Sequence, residues 1–199
     1  GIAKPEDVPG FAQKIHGEAS RMIQLVNDIL QLSSLDNASE TSSMPEMEVV
    51  DLLDVVKECV ERQKLNARHA YITLTYLGES APVQGNRNLL DELCQNLCDN
   101  AIRYNRPGGK VQIVTACTRD GHCSLTVTDN GIGIPQEMLP HIYDFGFSTK
   151  AAEGRGFGMS MIQNIVVRHD GTIDVDTEQG AGTTFTLIFQ IKRQKEGSQ

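Results

Sequence analysis

The sequence contains no tryptophan, and its aromatic residues are limited to four tyrosines and six phenylalanines. This scarcity disfavours a surface that stacks single-stranded nucleic acid. Positive charge is also scarce, since 18 Lys and Arg face 26 Asp and Glu to give a net charge of −8. Such a balance argues against a broad footprint on a phosphate backbone. No apolar run approaches the length of a membrane span. We therefore expect neither nucleic acid nor direct membrane contact.

The chain of 199 residues is long enough for one good core, alone or with a small appendage. Cysteine is present in an odd number, at positions 59, 94, 98, 117 and 123. Cys94 and Cys98 fall four apart on a predicted helix and could share a face, but no His or Cys has the spacing of a further metal ligand. The cysteines are therefore interpreted as small buried apolar side chains in a reducing compartment.

Periodicity divides the chain into a helical stretch over 10–36, a polar linker near 37–48 and an alternating remainder. We predict domains at 1–37 and 38–199. Within the second, helices are predicted over 51–67, 87–104 and 158–169, with short pieces around 136–143. Strands are predicted over 47–50, 70–77, 82–84, 110–117, 122–128, 171–177 and 183–191. Because the last four strands form two hairpins, the pattern favours an α+β fold, with helices on one face of a mixed sheet, over a doubly wound parallel fold.

The helix over 87–104 carries a polar row beside its apolar stripe. With 3.6 residues per turn, Glu92, Asn96, Asn100 and Arg103 lie within one narrow arc at the rim of the core. The carbonyl oxygen of Asn100 suits Mg²⁺ beside triphosphate oxygens, and Arg103 could meet a phosphate. Taken alone, the row is better explained as a solvated helix face with capping asparagines.

A second polar group follows the strand over 122–128. Asp129 stands at the strand end, and Gly131 and Gly133 come directly after it. A partly buried carboxylate there would accept a hydrogen bond from an exocyclic amine such as that of adenine, while the glycines let the backbone approach a flat ring. The alternative is a purely structural role, as a glycine-rich turn with an aspartate cap.

A third group leads into the helix over 158–169. Helix N-termini bind phosphates because free N–H groups and the helix dipole point at them. The group does not match the dinucleotide or Walker A patterns. Two cations bracket the segment 148–156, which has the composition of a lid over the γ-phosphate, and a further glycine pair opens the last strand. The third group consists of Gly154, Gly156 and Gly158, and the two cations are Lys150 and Arg155. The further glycine pair is Gly180 and Gly182, which Thr183 follows.

In this order, the groups resemble the catalytic half of a bacterial sensor histidine kinase. Residues 96–104 resemble the family's N box, and residues 129–135, 154–158 and 180–183 resemble its three glycine boxes. Residues 18–33 look like the second helix of the dimerisation and phosphoacceptor hairpin. The resemblance implies a two-layer α/β sandwich shared with gyrase and Hsp90-type ATPases, preceded by one long helix.

The family also implies roles for the residues. Asn100 would bind Mg²⁺ and Asp129 the adenine amine, with Tyr104 against the base. Arg103, Lys150 or Arg155 would contact phosphates, and the glycines and Thr183 would complete the ATP site. Asn96 stands where hydrolytic relatives carry a glutamate base. A carboxamide cannot take a proton from water, so slow hydrolysis and transfer to histidine are expected.

Departures from the family pattern limit what this chain does alone. The phosphoacceptor sequence S-H-E-L-x-T-P is absent and is expected upstream of Gly1, so the chain should bind ATP without phosphorylating itself. Phe157 and Met159 replace the usual leucines. The resemblance implies relay to a response-regulator receiver domain, homodimerisation through the hairpin, and a cytoplasmic position as the intracellular part of a membrane-anchored receptor.

Two alternatives remain open at this stage. The first is a hydrolytic ATPase of the same fold, which Asn96 disfavours. The second is a nucleotide-sensing dimerisation module without transfer chemistry, which the missing histidine leaves possible.

Overall fold

The computed structural model describes residues 46–144 and 158–191. The helices are α1 (Leu52–His69), α2 (Arg87–Arg103) and α3 (Gly158–Arg168), with a 3-10 helix at Gln136–His141. The strands are β1 (Glu48–Asp51), β2 (Thr73–Gly78), β3 (Pro82–Gly85), β4 (Lys110–Cys117), β5 (His122–Asp129), β6 (Thr172–Glu178) and β7 (Gly182–Gln190). The elements predicted from residue 47 onward are confirmed, with ends shifted by at most three residues. The predicted helix 10–36, and with it the domain 1–37, lies outside the described residues.

Five strands form one mixed sheet in the order β2-β4-β5-β7-β6. The pair β2–β4 is parallel, whereas β4–β5, β5–β7 and β6–β7 are antiparallel. β1 and β3 form a separate antiparallel pair. Side chains along β4, β5 and β7 alternate between buried and more exposed positions, so one sheet face meets the core. The three helices pack over that face. The predicted α+β two-layer sandwich with a mixed sheet is confirmed.

Helix α2 is fixed at both ends, and this matters because it carries the polar row. At its start, the Asn86 side chain accepts a hydrogen bond from Leu89 N at 3.1 Å, as an N-cap. The backbone N–H of Asn86 donates to Nε2 of the buried His169 at 3.1 Å. At its end, the Tyr104 carbonyl accepts a bond from Ile132 N at 3.0 Å. The end of α2 is thereby held beside the loop that follows β5.

The cysteines divide into two groups. Cys59, Cys94 and Cys98 are buried, as predicted. Cys117 and Cys123 instead form a disulfide across the β4–β5 hairpin, where they are register partners with Cα atoms 4.1 Å apart. The interpretation of all five as thiols is therefore wrong for this pair. Helix α1 also brings Cys59 to Cys94 and Cys98, a contact that their spacing in the sequence does not show.

In the part of the chain that the structure describes, no helix is both long enough and apolar enough to cross a bilayer.

Candidate functional site

A cavity of about 260 Å³ opens where the end of α2, the end of β5 and the start of α3 converge. The loop after β5, the 3-10 helix and the β6–β7 hairpin close its remaining sides. Most of the lining is apolar, with a few polar groups at defined places, which is the usual character of a small-molecule site. The lining residues are Leu97, Asn100, Ala101, Tyr104, Asp129, Ile132, Gly133, Ile134, Pro135, Met138, Ile142, Gly158, Met159, Gln179, Thr183 and Phe185.

Two carboxamides of α2, those of Asn96 and Asn100, contact methionines of α3. Asn100 lines the cavity, and its Nδ2 donates to Sδ of Met159 at 3.4 Å. Asn96 lies one turn earlier, and its Nδ2 donates to the Glu92 carbonyl at 2.9 Å and contacts Met161 Sδ at 3.7 Å. Because the amide hydrogens of Asn100 face Met159, its carbonyl oxygen Oδ1 is the group available to a ligand.

Among the residues that the structure describes, Asp129 is the only carboxylate that lines the cavity. It ends β5, and its Oδ1 accepts a hydrogen bond from Gly131 N at 2.8 Å. Burial raises its pKa, and the backbone N–H groups of Gly131 and Thr183 oppose that rise. A desolvated carboxylate in an apolar cavity is a strong and selective hydrogen-bond acceptor. The position suits a ligand that presents an N–H group.

The glycines after β5 allow the chain to turn tightly under the cavity. Gly133 has a φ of +67°, and a Cβ there would lie 2.1 Å from the Glu178 carbonyl oxygen. A side chain at this position would therefore clash with the backbone of the β6–β7 hairpin. The hairpin returns Thr183 opposite Asp129 in the β5–β7 register. Oγ1 of Thr183 lies 3.0 Å from Oγ1 of Thr177. The Thr177 hydroxyl also accepts a hydrogen bond from Ile134 N.

The structure brings most of the predicted site residues together. Asn100, Tyr104, Asp129, Gly133, Gly158 and Thr183 all line the cavity. Asn96, Arg103 and Gly131 are neighbours of lining residues without lining the cavity themselves. Lys150, Gly154, Arg155 and Gly156 lie outside the described residues.

Sequence reasoning missed the apolar wall of the cavity. Met138 and Ile142 belong to or follow the 3-10 helix, for which no role was predicted. Gln179 comes from the turn just before Gly180. Met159, which replaces the usual leucine, was a usable signal, because a thioether sulphur can accept an amide hydrogen of Asn100 whereas a leucine side chain cannot.

Comparison with known proteins places this site in context. The profile of the family described as "Histidine kinase-, DNA gyrase B-, and HSP90-like ATPase" matches residues 85–193. Sensor-like histidine kinase SenX3 of Mycobacterium tuberculosis is 34% identical over 190 residues, which are 92% of this chain and 45% of the relative. Heme sensor protein HssS of Staphylococcus haemolyticus is 29% identical over 177 residues, covering 88% and 38%. The chain spans less than half the length of these relatives.

Solved structures agree with the fold. The mycobacterial sensor histidine kinase MprB superposes with a TM-score of 0.65 at 27% identity, covering 73% of this chain and 97% of that one. Acinetobacter baumannii histidine kinase AdeS gives a TM-score of 0.76 at 24% identity, covering 97% and 89%. A complex of histidine kinase ThkA with response regulator protein TrrA gives 0.76 at 22% identity, covering 96% and 55%. The last two similarities, being below 25% identity, bear on the fold alone.

Proposed function

This chain belongs to the family of histidine kinase-, DNA gyrase B- and HSP90-like ATPases and is an ATP-binding domain of the sensor histidine kinase kind, and we propose that it donates the γ-phosphoryl group of Mg-ATP to a histidine outside the chain. The observation that carries the proposal is the cavity itself. It brings the end of the predicted N box, the aspartate of the first glycine box and the start of α3 to one place.

Adenine recognition is assigned to the deep, apolar part of the cavity. The exocyclic amine would donate to Asp129, whose carboxylate is partly buried and already oriented by Gly131 N. Tyr104, with Ile132 and Met138, would cover the faces of the ring. A flat apolar ring with one strong donor matches an apolar cleft with one strong acceptor.

The donors present fit a Mg²⁺ ion at Asn100. A carboxamide oxygen is a hard ligand, and Mg²⁺ is commonly held by one or two protein oxygens together with phosphate oxygens and water. Because Met159 is bonded to Asn100 Nδ2, the sulphur does not occupy that oxygen. When bound, the ion would neutralise charge on the phosphate tail, which an acidic chain with a net charge of −8 must do locally.

The phosphate tail would run toward the start of α3. Gly158 is the first residue of this helix and lines the cavity, so the helix N-terminus faces the space that the tail would occupy. Arg103 of α2, together with Lys150 and Arg155, would supply the cations. The glycines at 154 and 156 would let the backbone close over the phosphates.

Asn96 favours transfer over hydrolysis. Its amide group is held by the Glu92 carbonyl and by Met161, and it lies close to Gly158, where a Cβ would come within 3.3 Å of Asn96 Oδ1. A carboxamide in this place has no lone pair basic enough to deprotonate water at neutral pH. The triphosphate would therefore persist until an acceptor histidine reaches it.

The larger setting is proposed from the relatives. We infer that the acceptor histidine lies on a hairpin that residues 18–33 complete, that two hairpins form a homodimer, and that the phosphoryl group passes on to a response-regulator receiver domain. The relatives are sensor kinases, so we place the domain in the cytoplasm as the inner part of a membrane-anchored receptor.

Calorimetric titration tests the binding half of the proposal. Mg-ATP should bind with one site per chain, and ADP should compete. Steady phosphate release by the chain would support the hydrolytic alternative. Tight binding without transfer, in a longer protein that contains the hairpin, would support the sensing module.

A further inference from the structure

Three cysteines meet in the core between α1 and α2. Cys59 comes from α1, whereas Cys94 and Cys98 lie one turn apart on α2. Their Sγ atoms all lie within 4.8 Å of one another, and those of Cys59 and Cys98 are 3.5 Å apart. For comparison, two thiolates on a tetrahedral zinc at about 2.3 Å from the metal are roughly 3.8 Å apart. The three sulphurs are therefore spaced like ligands of a single ion.

The surroundings of these sulphurs are apolar. Each of the three cysteines is 0% exposed, within a core of valines and leucines from both helices. Among the described residues, no histidine, carboxylate or fourth cysteine joins the group. A charged pair, Arg62 with Asp91, bridges the two helices one turn away and remains partly exposed. A ligand in this place must accept three sulphurs, need no fourth donor and tolerate an apolar core.

Net charge decides which ion meets these conditions. Three thiolates around Zn²⁺ leave one negative charge and a coordination position without a donor, and around Cu⁺ they leave two negative charges. Burying such charges without partners is strongly unfavourable. Trivalent arsenic with three thiolates is neutral, three-coordinate and pyramidal, because a lone pair occupies the remaining position. Trivalent arsenic therefore needs only the three sulphurs present, and its neutral complex is compatible with an apolar core.

We propose that Cys59, Cys94 and Cys98 form a binding site for trivalent arsenic, with one ion joining α1 to α2 through three sulphurs. Arsenous acid, As(OH)₃, would react with three thiols to give three As–S bonds and three waters. Each sulphur proton leaves on one hydroxide of the acid, so no oxidant, reductant or free proton is involved. The site is independent of the ATP cavity and of the function proposed for it.

The three thiols differ in acidity and share the same buried position. Hydrogen bonds from Cys94 and Cys98 lower the pKa of Cys59, and the nearby Arg62 acts in the same direction. Hydrogen bonding to Cys59 raises the pKa of Cys94 and Cys98, and burial adds to this. Because all three are buried, binding requires a transient opening between α1 and α2 and should be slow.

The experiment uses the whole chain, reduced with a phosphine and titrated with arsenite. Reduced Cys117 and Cys123 could hold arsenic through two sulphurs, so the measurement is made on the Cys117→Ser/Cys123→Ser double variant. Native mass spectrometry should show a gain of one arsenic atom and a loss of three hydrogen atoms per chain. The thermal midpoint should rise, since the ion binds the folded state. Cys59→Ala and Cys98→Ala should each abolish the three-hydrogen product.

X-ray absorption at the arsenic edge counts As–S bonds in the protein with its three core cysteines intact, and so does not depend on how the alanine variants fold. Three As–S bonds support the site. Two bonds, or no arsenic retained by the double variant while circular dichroism shows it folded, would overturn it. Tighter retention of Zn²⁺ or Cu⁺ than of arsenic would refute the argument that the neutral complex is preferred in this core.

Discussion

Replacing Asp129 with asparagine should separate nucleotide affinity from fold stability. The change is nearly isosteric, and the new Oδ1 can still accept the hydrogen bond from Gly131 N. What is lost is a charged acceptor for the adenine amine. A hydrogen bond to a charged group contributes about 1.5–3 kcal/mol, which corresponds to roughly a 10- to 150-fold rise in Kd. Because the contact is with the base, ADP and ATP should weaken equally.

The same variant, Asp129→Asn, should not lose fold stability. Burial raises the pKa of Asp129, so the folded chain holds this proton more tightly than the unfolded chain does. Ionised Asp129 therefore disfavours folding once the pH exceeds its folded pKa. At neutral pH, Asp129→Asn removes that penalty, and its thermal midpoint should equal or exceed that of the parent chain.

Calorimetry with ATP and ADP, paired with thermal melts, measures both effects. Asp120→Asn is the matched control, because Asp120 lies in the exposed β4–β5 turn at the other end of β5. It should leave both affinities unchanged. Lost affinity accompanied by a lower melting point would mean that Asp129 acts through the fold. Unchanged affinity in a folded variant would refute the assignment to adenine. Below neutral pH, ATP affinity of the parent chain should fall at a pH above the ordinary aspartate range.

The remaining predictions concern the metal, its orienting contact and a buried histidine. Asn100→Ala should weaken ATP binding in Mg²⁺ but change little in EDTA, and equal losses in both titrations would contradict a role at the metal. Met159→Leu removes the sulphur that accepts a hydrogen bond from Asn100 Nδ2. Because such a bond contributes no more than about 1.5 kcal/mol, Mg-ATP affinity should fall roughly two- to tenfold. ADP binding in EDTA should be retained. His169 is neutral in the fold, accepting from Asn86 N, and burial lowers its pKa. As the pH drops below about 6.5, the unfolded chain gains a proton that the folded chain refuses, so stability should fall. Urea unfolding from pH 7 to 5 should show this dependence, and His169→Gln should flatten it while exposed His141→Gln should not.

Local sequence patterns were sufficient to predict the helices, the strands and the mixed sheet. The apolar stripe on α2 and its neighbouring polar row follow from 3.6 residues per turn, and the structure keeps both. Alternation along β5 and the glycines behind Asp129 likewise predicted a strand end at the cavity. The two hairpins in the sequence were enough to favour a mixed sheet.

Contacts between distant elements could not be read in the same way. Cys59 reaches Cys98 across 39 positions only because α1 packs beside α2. The register of the β4–β5 hairpin, which sets Cys117 opposite Cys123, depends on a turn ending at Gly121 with φ +89°. The wall at Met138 comes from a 3-10 helix, whose short run has no periodicity to detect.

The proposed donor role is decided by whether γ-labelled phosphate passes from Mg-ATP to the protein. The chain would be compared with a version extended upstream through the proposed hairpin, and each would be quenched in acid and in base. Label is expected only in the longer protein, as a phosphate that acid removes and base does not. Steady phosphate release without labelled protein, or bound ATP with neither release nor label, would contradict it.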